Sequence, residues 1–268
     1  IPNGYPIGME MCAGIFHVTI TANNGGVARF DLTNGTVETT FTSQRLDDGN
    51  AAAVACDDSN NILYIGYNDD EEPISRYDYN NAQWLSSLTT SSHNIPSDPV
   101  WWGAMKFAAG KLAIGYDIGT QGSNVIGGGY VILSASGTTV GTASVLSTGS
   151  AVSSIDWMGS KWLIGQAGGT SGYSHVDTLS QLGQNTIHAL PNLVSGQVTS
   201  MAGNQTHIWV ASSSWQNTGS GVLQGLKLSN GSVEWQKGWT IPANAVVTDI
   251  QLVGTDLYLA SNNRGLRL

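Results

Sequence analysis

The chain has 268 residues, 41% of them hydrophobic and only 11% charged, with 34 glycines. That length can bury a large core, and the composition suits short strands joined by many turns better than charged amphipathic helices. Ten Lys plus Arg against 19 Asp plus Glu leave a net charge of −9, which excludes the basic face that nucleic acid requires, and no apolar run is long enough to span a bilayer.

The chain opens on IPNGYP, with no initiator Met and no signal peptide, so the sequence predicts that processing or trimming has shortened a longer chain. The first apolar strand follows as HVTIT at 17–21. It is preceded by a strand ending in the turn MCAG and followed by the strand VARFD, the turn LTNG and a fourth strand, TVETTFT. The same order recurs down the chain. The apolar strand returns as LYIG at 63–66, LAIG at 112–115, WLIG at 162–165, IWVA at 208–211 and LYLA at 257–260. Its last apolar residues are Ile20, Ile65, Ile114, Ile164, Val210 and Leu259, separated by 45, 49, 50, 46 and 49 residues. Third strands read ISRYD, YSHVD, GLKLS and GLRL, and the turns after them, such as YNNA and LSNG, have hairpin chemistry.

Four short antiparallel strands in every 45 to 50 residues is the pattern of a β-propeller blade. The fold expected is therefore all-β: one propeller domain over 1–268 with blade units at about 1–45, 46–94, 95–145, 146–189, 190–240 and 241–268. Ile-Pro or Leu-Pro pairs at Ile1, Ile95, Leu190 and Ile241 mark connections between units. The sixth unit stops on a third strand, so the chain reads as part of a longer one, or as a ring that borrows an outer strand.

The segment LYIGYNDDEEPISRYDYNNAQWLSSLTTSSHNIPSDPV, within 62–100, resembles the repeat of two-component-regulator-type propellers, and more distantly quinoprotein-like and WD-like repeats. That resemblance implies a ligand-sensing or interaction module outside the cytoplasm: extracellular, on the cell surface or periplasmic. Fold does not decide function, and three readings stay open. They are a non-catalytic binding propeller, a polysaccharide-active lyase or glycosidase, and an architectural module of a large surface protein. The partners expected are a protein, a glycan or the rest of a longer chain.

In such a fold the second-to-third-strand loops and the inter-blade loops share one face. Here these are the elaborated ones, and binding residues concentrate in such loops. Trp101, Trp102, Trp215 and Tyr116 could stack on a sugar ring, with Asp117 and His93 close by in the same loops. The acidic run Asp69, Asp70, Glu71 and Glu72 is a candidate Ca²⁺ site, although it lacks the alternating spacing of a known calcium loop; the alternative is a solvated loop. Glu10, Lys106, Asp156, Asp249 and Gln251 fall in first strands, which line the channel of a propeller. Cys12 and Cys56 hold matching places in neighbouring first strands, which predicts a disulfide, with two buried thiols as the alternative. Asn34-Gly-Thr, Asn204-Gln-Thr and Asn230-Gly-Ser have the form of glycan acceptors. No nucleophile elbow or metal-spaced histidine pair is present.

Overall fold

The computed structural model describes residues 5–21, 26–31, 33–41, 51–67, 74–88, 101–117, 120–121, 124–125, 128–134, 139–144, 151–159, 161–167, 172–176, 188–189, 197–213, 222–227, 233–238, 247–261 and 265–267. Among these the secondary structure is all strand, paired antiparallel, in small separate sheets. The first sheet runs β1 (Tyr5–Cys12), β2 (Ile15–Thr21), β3 (Gly26–Asp31), β4 (Val37–Phe41). The second runs β5 (Ala51–Asp57), β6 (Ile62–Tyr67), β7 (Ile74–Asp78), β8 (Gln83–Leu88). The third is β9 (Trp101–Ala108) and β10 (Lys111–Asp117), then, beyond a small ladder of β11 (Thr120–Gln121) and β12 (Asn124–Val125), β13 (Gly128–Ser134) and β14 (Thr139–Ser144). The fourth is β15 (Ala151–Trp157), β16 (Trp162–Ala167), β17 (Gly172–Val176), β18 (His188–Ala189). The fifth is β19 (Gln197–Gly203), β20 (His207–Ser213), β21 (Val222–Lys227), β22 (Val233–Gly238). The sixth is β23 (Val247–Val253), β24 (Asp256–Ser261), β25 (Gly265–Arg267), three-stranded among the described residues.

The sheets meet through their first strands. β1 packs on β5, β5 on β9, β9 on β15, β15 on β19, β19 on β23, and β23 packs again on β1. Phe16 of β2 and Tyr258 of β24 add an edge-on ring contact at 4.9 Å between the first and last sheets.

Register gives each sheet the same frame. The pairs Met9–Val18, Val54–Ile65, Met105–Ile114, Ile155–Ile164, Met201–Val210 and Ile250–Leu259 are equivalent. The equivalent of Ile65 in the first sheet is thus Val18, where the repeat spacing had pointed to Ile20. The reason is that Thr19 stands where LYIG has its closing glycine, so the apolar run continues past the frame to Ile20, at the place of Tyr67. Every first strand also carries an irregularity just before this frame. Residues 7–8, Ala52, Gly103, Ser153, Thr199 and Thr248 lie where the register shifts. In the first sheet the shift skips two residues of β1 against one of β2. A bulge bends its strand and increases its twist, so six at one place turn six first strands alike.

The glycine that closes LAIG and WLIG is explained between sheets. A Cβ on Gly115 would meet Val152 Cγ1 of the fourth sheet at 2.4 Å, and one on Gly165 would meet Met201 Cε of the fifth at 2.6 Å. Each glycine is the seat for an apolar side chain from the following sheet. Buried apolar side chains fill further interfaces, with Ala53, Tyr64, Met105 and Ile114 between sheets two and three and Ala211, Leu223, Ile250 and Leu259 between five and six. The turns are tight: Ala13–Gly14 and Ala109–Gly110 each put two residues at positive φ, the geometry a two-residue hairpin needs.

Candidate functional site: the cavity where the first strands converge

Three of the interfaces between sheets use one and the same bond. Ser154, the residue before Ile155 in the common frame, accepts at 2.8 Å from the backbone N–H of Met201 in the next sheet. Ser200, its equivalent, accepts at 2.8 Å from Ile250 N–H of the sheet after that. Asp249, the next equivalent, accepts from Met9 N–H of the first sheet through Oδ2. The same position thus stitches sheets four to five, five to six and six to one. Asp249 also receives the Ser200 hydroxyl at 2.9 Å and Ile250 N–H at 2.8 Å on Oδ1.

Two residues further along each first strand lies a second layer: Glu10, Ala55, Lys106, Asp156, Ala202 and Gln251, one from each sheet. Lys106 Nζ donates to both carboxylate oxygens of Glu10 at 3.0 Å and lies 3.6 Å from Asp156 Oδ1. Asp156 Oδ2 accepts from Gly203 N–H at 2.8 Å, and Gln251 Nε2 reaches Glu10 Oε1 at 3.5 Å. The two layers border one cavity whose wall includes Glu10, Ala53, Lys106, Asp156, Met201 and Asp249, contributions from all six first strands. It leaves about 40 Å³ for water, room for a few molecules and not for a sugar ring.

Low dielectric sets the charges here. Burial alone would pull the Lys106 ammonium down, but the carboxylates of Glu10, Asp156 and Asp249 overcome it and hold its pKa above the ordinary lysine value. Burial raises Glu10 against the pull of Lys106. Burial also pushes Asp249 up to about 7, with the charge of Glu10 adding to it and the bonds from Ser200, Met9 and Ile250 opposing it. Away from the cavity, His17 is buried; burial and the nearby Arg29 lower it to about 4, against the opposing pull of the Ile15 backbone and Asp58.

The sequence-nominated residues separate into three groups. Glu10, Lys106, Asp156, Asp249 and Gln251 do come together around one cavity, the first three and Gln251 bonded to one another and Asp249 bonded to Met9, Ser200 and Ile250 beside them. Trp101 and Trp102 pair in register with Asp117 and Tyr116, so these four share one end of the third sheet. Tyr116, however, was expected to offer a ring to a ligand. It is 5% exposed and packs in the core with Met105, Ile114 and Val131, and burial raises its phenol. Strand alternation turned it inward. His93, Trp215, Asp69, Asp70, Glu71 and Glu72 lie outside the described residues.

Cys12 and Cys56 are bonded, with Cα atoms 5.6 Å apart, which excludes the free-thiol reading. They are not at matching places. Cys12 is three residues beyond Met9 and Cys56 two beyond Val54. Alternation makes the offset necessary: equivalent residues in successive sheets face the same way, and only an odd offset turns two of them toward each other. Asp58 Oδ1 lies 3.3 Å from Cys56 Sγ and receives Ala13 N–H at 2.8 Å and the Tyr79 hydroxyl at 3.1 Å. Cys12, Cys56 and Asp58 cluster as metal ligands would, but the disulfide consumes both thiolates.

Sequence reasoning missed Ser154 and Ser200. Their signal was present: a short oxygen-bearing side chain 10 residues before Ile164 and Val210, and Asp249 10 before Leu259. Comparison with protein-family models and with curated proteins finds no match for the chain.

Proposed function

We propose that the six sheets are the blades of a β-propeller, and that the protein is an extracellular, non-catalytic module binding a protein or a glycan. The working surface is the face that carries the inter-blade and second-to-third-strand loops. The cyclic packing of the first strands and the repeated Ser154–Ser200–Asp249 bond support the architecture. The observation that carries the binding reading is the state of the interior carboxylates. Glu10, Asp156 and Asp249 are each held by bonds between sheets, in a space with room for a few waters and not for a sugar ring. Groups used this way stiffen a scaffold, and recognition is left to the loops.

The resemblance at 62–100 and the Cys12–Cys56 disulfide support a location outside the cytoplasm. A glycan array run with calcium and with chelator, paired with a turnover assay on the bound sugars, tests the reading. Saturable binding without product, reduced by Trp102→Ala or Trp215→Ala, is the expected result. Loss under chelator would assign Ca²⁺ to the acidic run at 69–72. Product formation would instead establish the lyase or glycosidase reading, and indifference to every glycan and to protein partners would leave the architectural one.

A further inference from the structure

We propose that Asn34 and Asn204 carry N-linked glycans, and that these cover the face opposite the elaborated loops. The proposal rests on the extracellular reading above. Triplets of the form Asn-x-Ser/Thr are common by chance, so their placement has to carry the argument.

Asn34 lies in the turn between β3 and β4, and Asn204 in the turn between β19 and β20. Antiparallel connection brings first-to-second and third-to-fourth turns to the same end of each sheet. The contacts agree: Tyr79 of the β7–β8 turn bonds through its N–H to Asn61 O at 3.0 Å and through its hydroxyl to Asp58, both in the β5–β6 turn. The elaborated stretches at 68–73 and 118–127 begin from the other end, after β6 and β10. Sugars on Asn34 and Asn204 would therefore leave that second face bare for a partner. Asn230, the third triplet, lies between β21 and β22 and outside the described residues.

Both asparagines adopt the same local arrangement. Asn34 Oδ1 accepts from Thr36 N–H at 2.8 Å and from the Thr36 hydroxyl, and Asn204 Oδ1 accepts from Thr206 N–H at 2.9 Å and the Thr206 hydroxyl at 3.1 Å. His207 N–H adds a further bond at 2.9 Å. A carboxamide anchored through its oxygen leaves its nitrogen out of those bonds. Asn34 is exposed, and Asn204 is half-buried with Gln205 and Thr206 exposed after it. Asn34 Nδ2 donates one hydrogen to Asp31 Oδ2 at 2.7 Å, and glycosylation replaces only the other. The turn needs three or four residues alone, so a transferase can meet it before the sheets have assembled.

The co-reactant is an oligosaccharide linked to a lipid pyrophosphate. Nδ2 forms a bond to the anomeric carbon, the bond from that carbon to the pyrophosphate oxygen breaks, the lipid pyrophosphate leaves, and the displaced Nδ2 proton passes to the transferase base. The Thr at the second position is what the transferase reads, which separates this chemistry from any exposed amide.

The test uses the chain from its own cells, with peptide mass spectrometry at both asparagines and protease digestion of intact cells. The expected result is a sugar-containing mass addition at Asn34 and Asn204. It should be lost completely in Thr36→Ala and Thr206→Ala, which keep the asparagines, and retained in Thr36→Ser and Thr206→Ser. Unmodified asparagines on a chain that external protease digests would overturn the glycans and leave the extracellular reading standing. Unmodified asparagines on a protease-protected chain would overturn both.

Discussion

Asp249, in the first strand of the sixth sheet, accepts a hydrogen bond from the backbone N–H of Met9 in the first sheet, 240 residues away. The same strand position supplies Ser154 and Ser200 at the two preceding interfaces, each closing a shorter span of chain. The bond between the ends of the chain is thus built like the bonds between neighbours, with a carboxylate in place of a hydroxyl. Asp249→Ala should lower unfolding stability by about 2–4 kcal/mol, because several buried donors lose their acceptor together. Ser154→Ala removes one acceptor and should cost about 1–3 kcal/mol. Urea unfolding of the two variants, with hydrogen exchange at Met9 and Met201, measures this; equal effects on both amides in both variants would count against separate stitches.

Because burial raises Asp249 to about 7, the folded protein holds a proton there that the unfolded chain releases near the ordinary aspartate value of 3.8. Its contribution is fully present below about 4 and is lost as pH rises through about 7. The urea midpoint should therefore fall between pH 5 and pH 8. Asp249→Asn mimics the protonated side chain and should flatten that slope. An unchanged slope in the variant would assign the pH dependence to other groups.

Among the described residues, Lys106 is the one cation of the central network, set between Glu10 and Asp156. Lys106→Met strands two buried carboxylates and should destabilise by about 3–5 kcal/mol. The triple change Lys106→Met, Glu10→Gln, Asp156→Asn should recover much of that loss. Thermal unfolding of the two variants decides it; a triple variant no better than the single would mean that the ammonium contributes through packing of its stem.

Gly115 and Gly165 are seats for the next sheet's side chains. Gly115→Ala drives a methyl into the branched Val152 and should cost about 1–3 kcal/mol, while Gly165→Ala meets the flexible Met201 and should cost less. Gly115→Ala with Val152→Ala should restore part of the loss in calorimetry. Additive losses in the double variant would show that the contact is not the cause.

Reducing Cys12–Cys56 frees the first two sheets from one another and should remove about 3–4 kcal/mol by the chain-entropy account. Thiol titration should find no free thiol in the native oxidised chain. Cys12→Ala with Cys56→Ala should match the reduced protein in denaturant.

Much of this was legible in the sequence. The strands LYIG, LAIG, WLIG, IWVA and LYLA announce themselves because a sheet buried on both faces needs an apolar run, and a repeat of 45 to 50 residues sets four strands per unit. Their terminal small residue was visible too. Its cause was not, since Val152 and Met201 reach Gly115 and Gly165 from other sheets. The disulfide was readable as a pairing, whereas the offset between Cys12 and Cys56 depends on which way alternate residues face. Val18, not Ile20, is the frame residue because Thr19 takes the place of the small residue that closes the other runs, and the apolar Ile20 beyond it hid that in the sequence.

Local chemistry, then, determined strands, turns and their spacing, because hydrogen-bonding geometry and apolar alternation act over a few residues. The meeting of Glu10 with Lys106, of Ser200 with Ile250 and of Asp249 with Met9, and the burial of Tyr116, were decided only when six sheets packed side by side. Those contacts join residues 50 to 240 positions apart, and only the tertiary fold, through the twist that the bulges impose on each first strand, brings them within bonding distance.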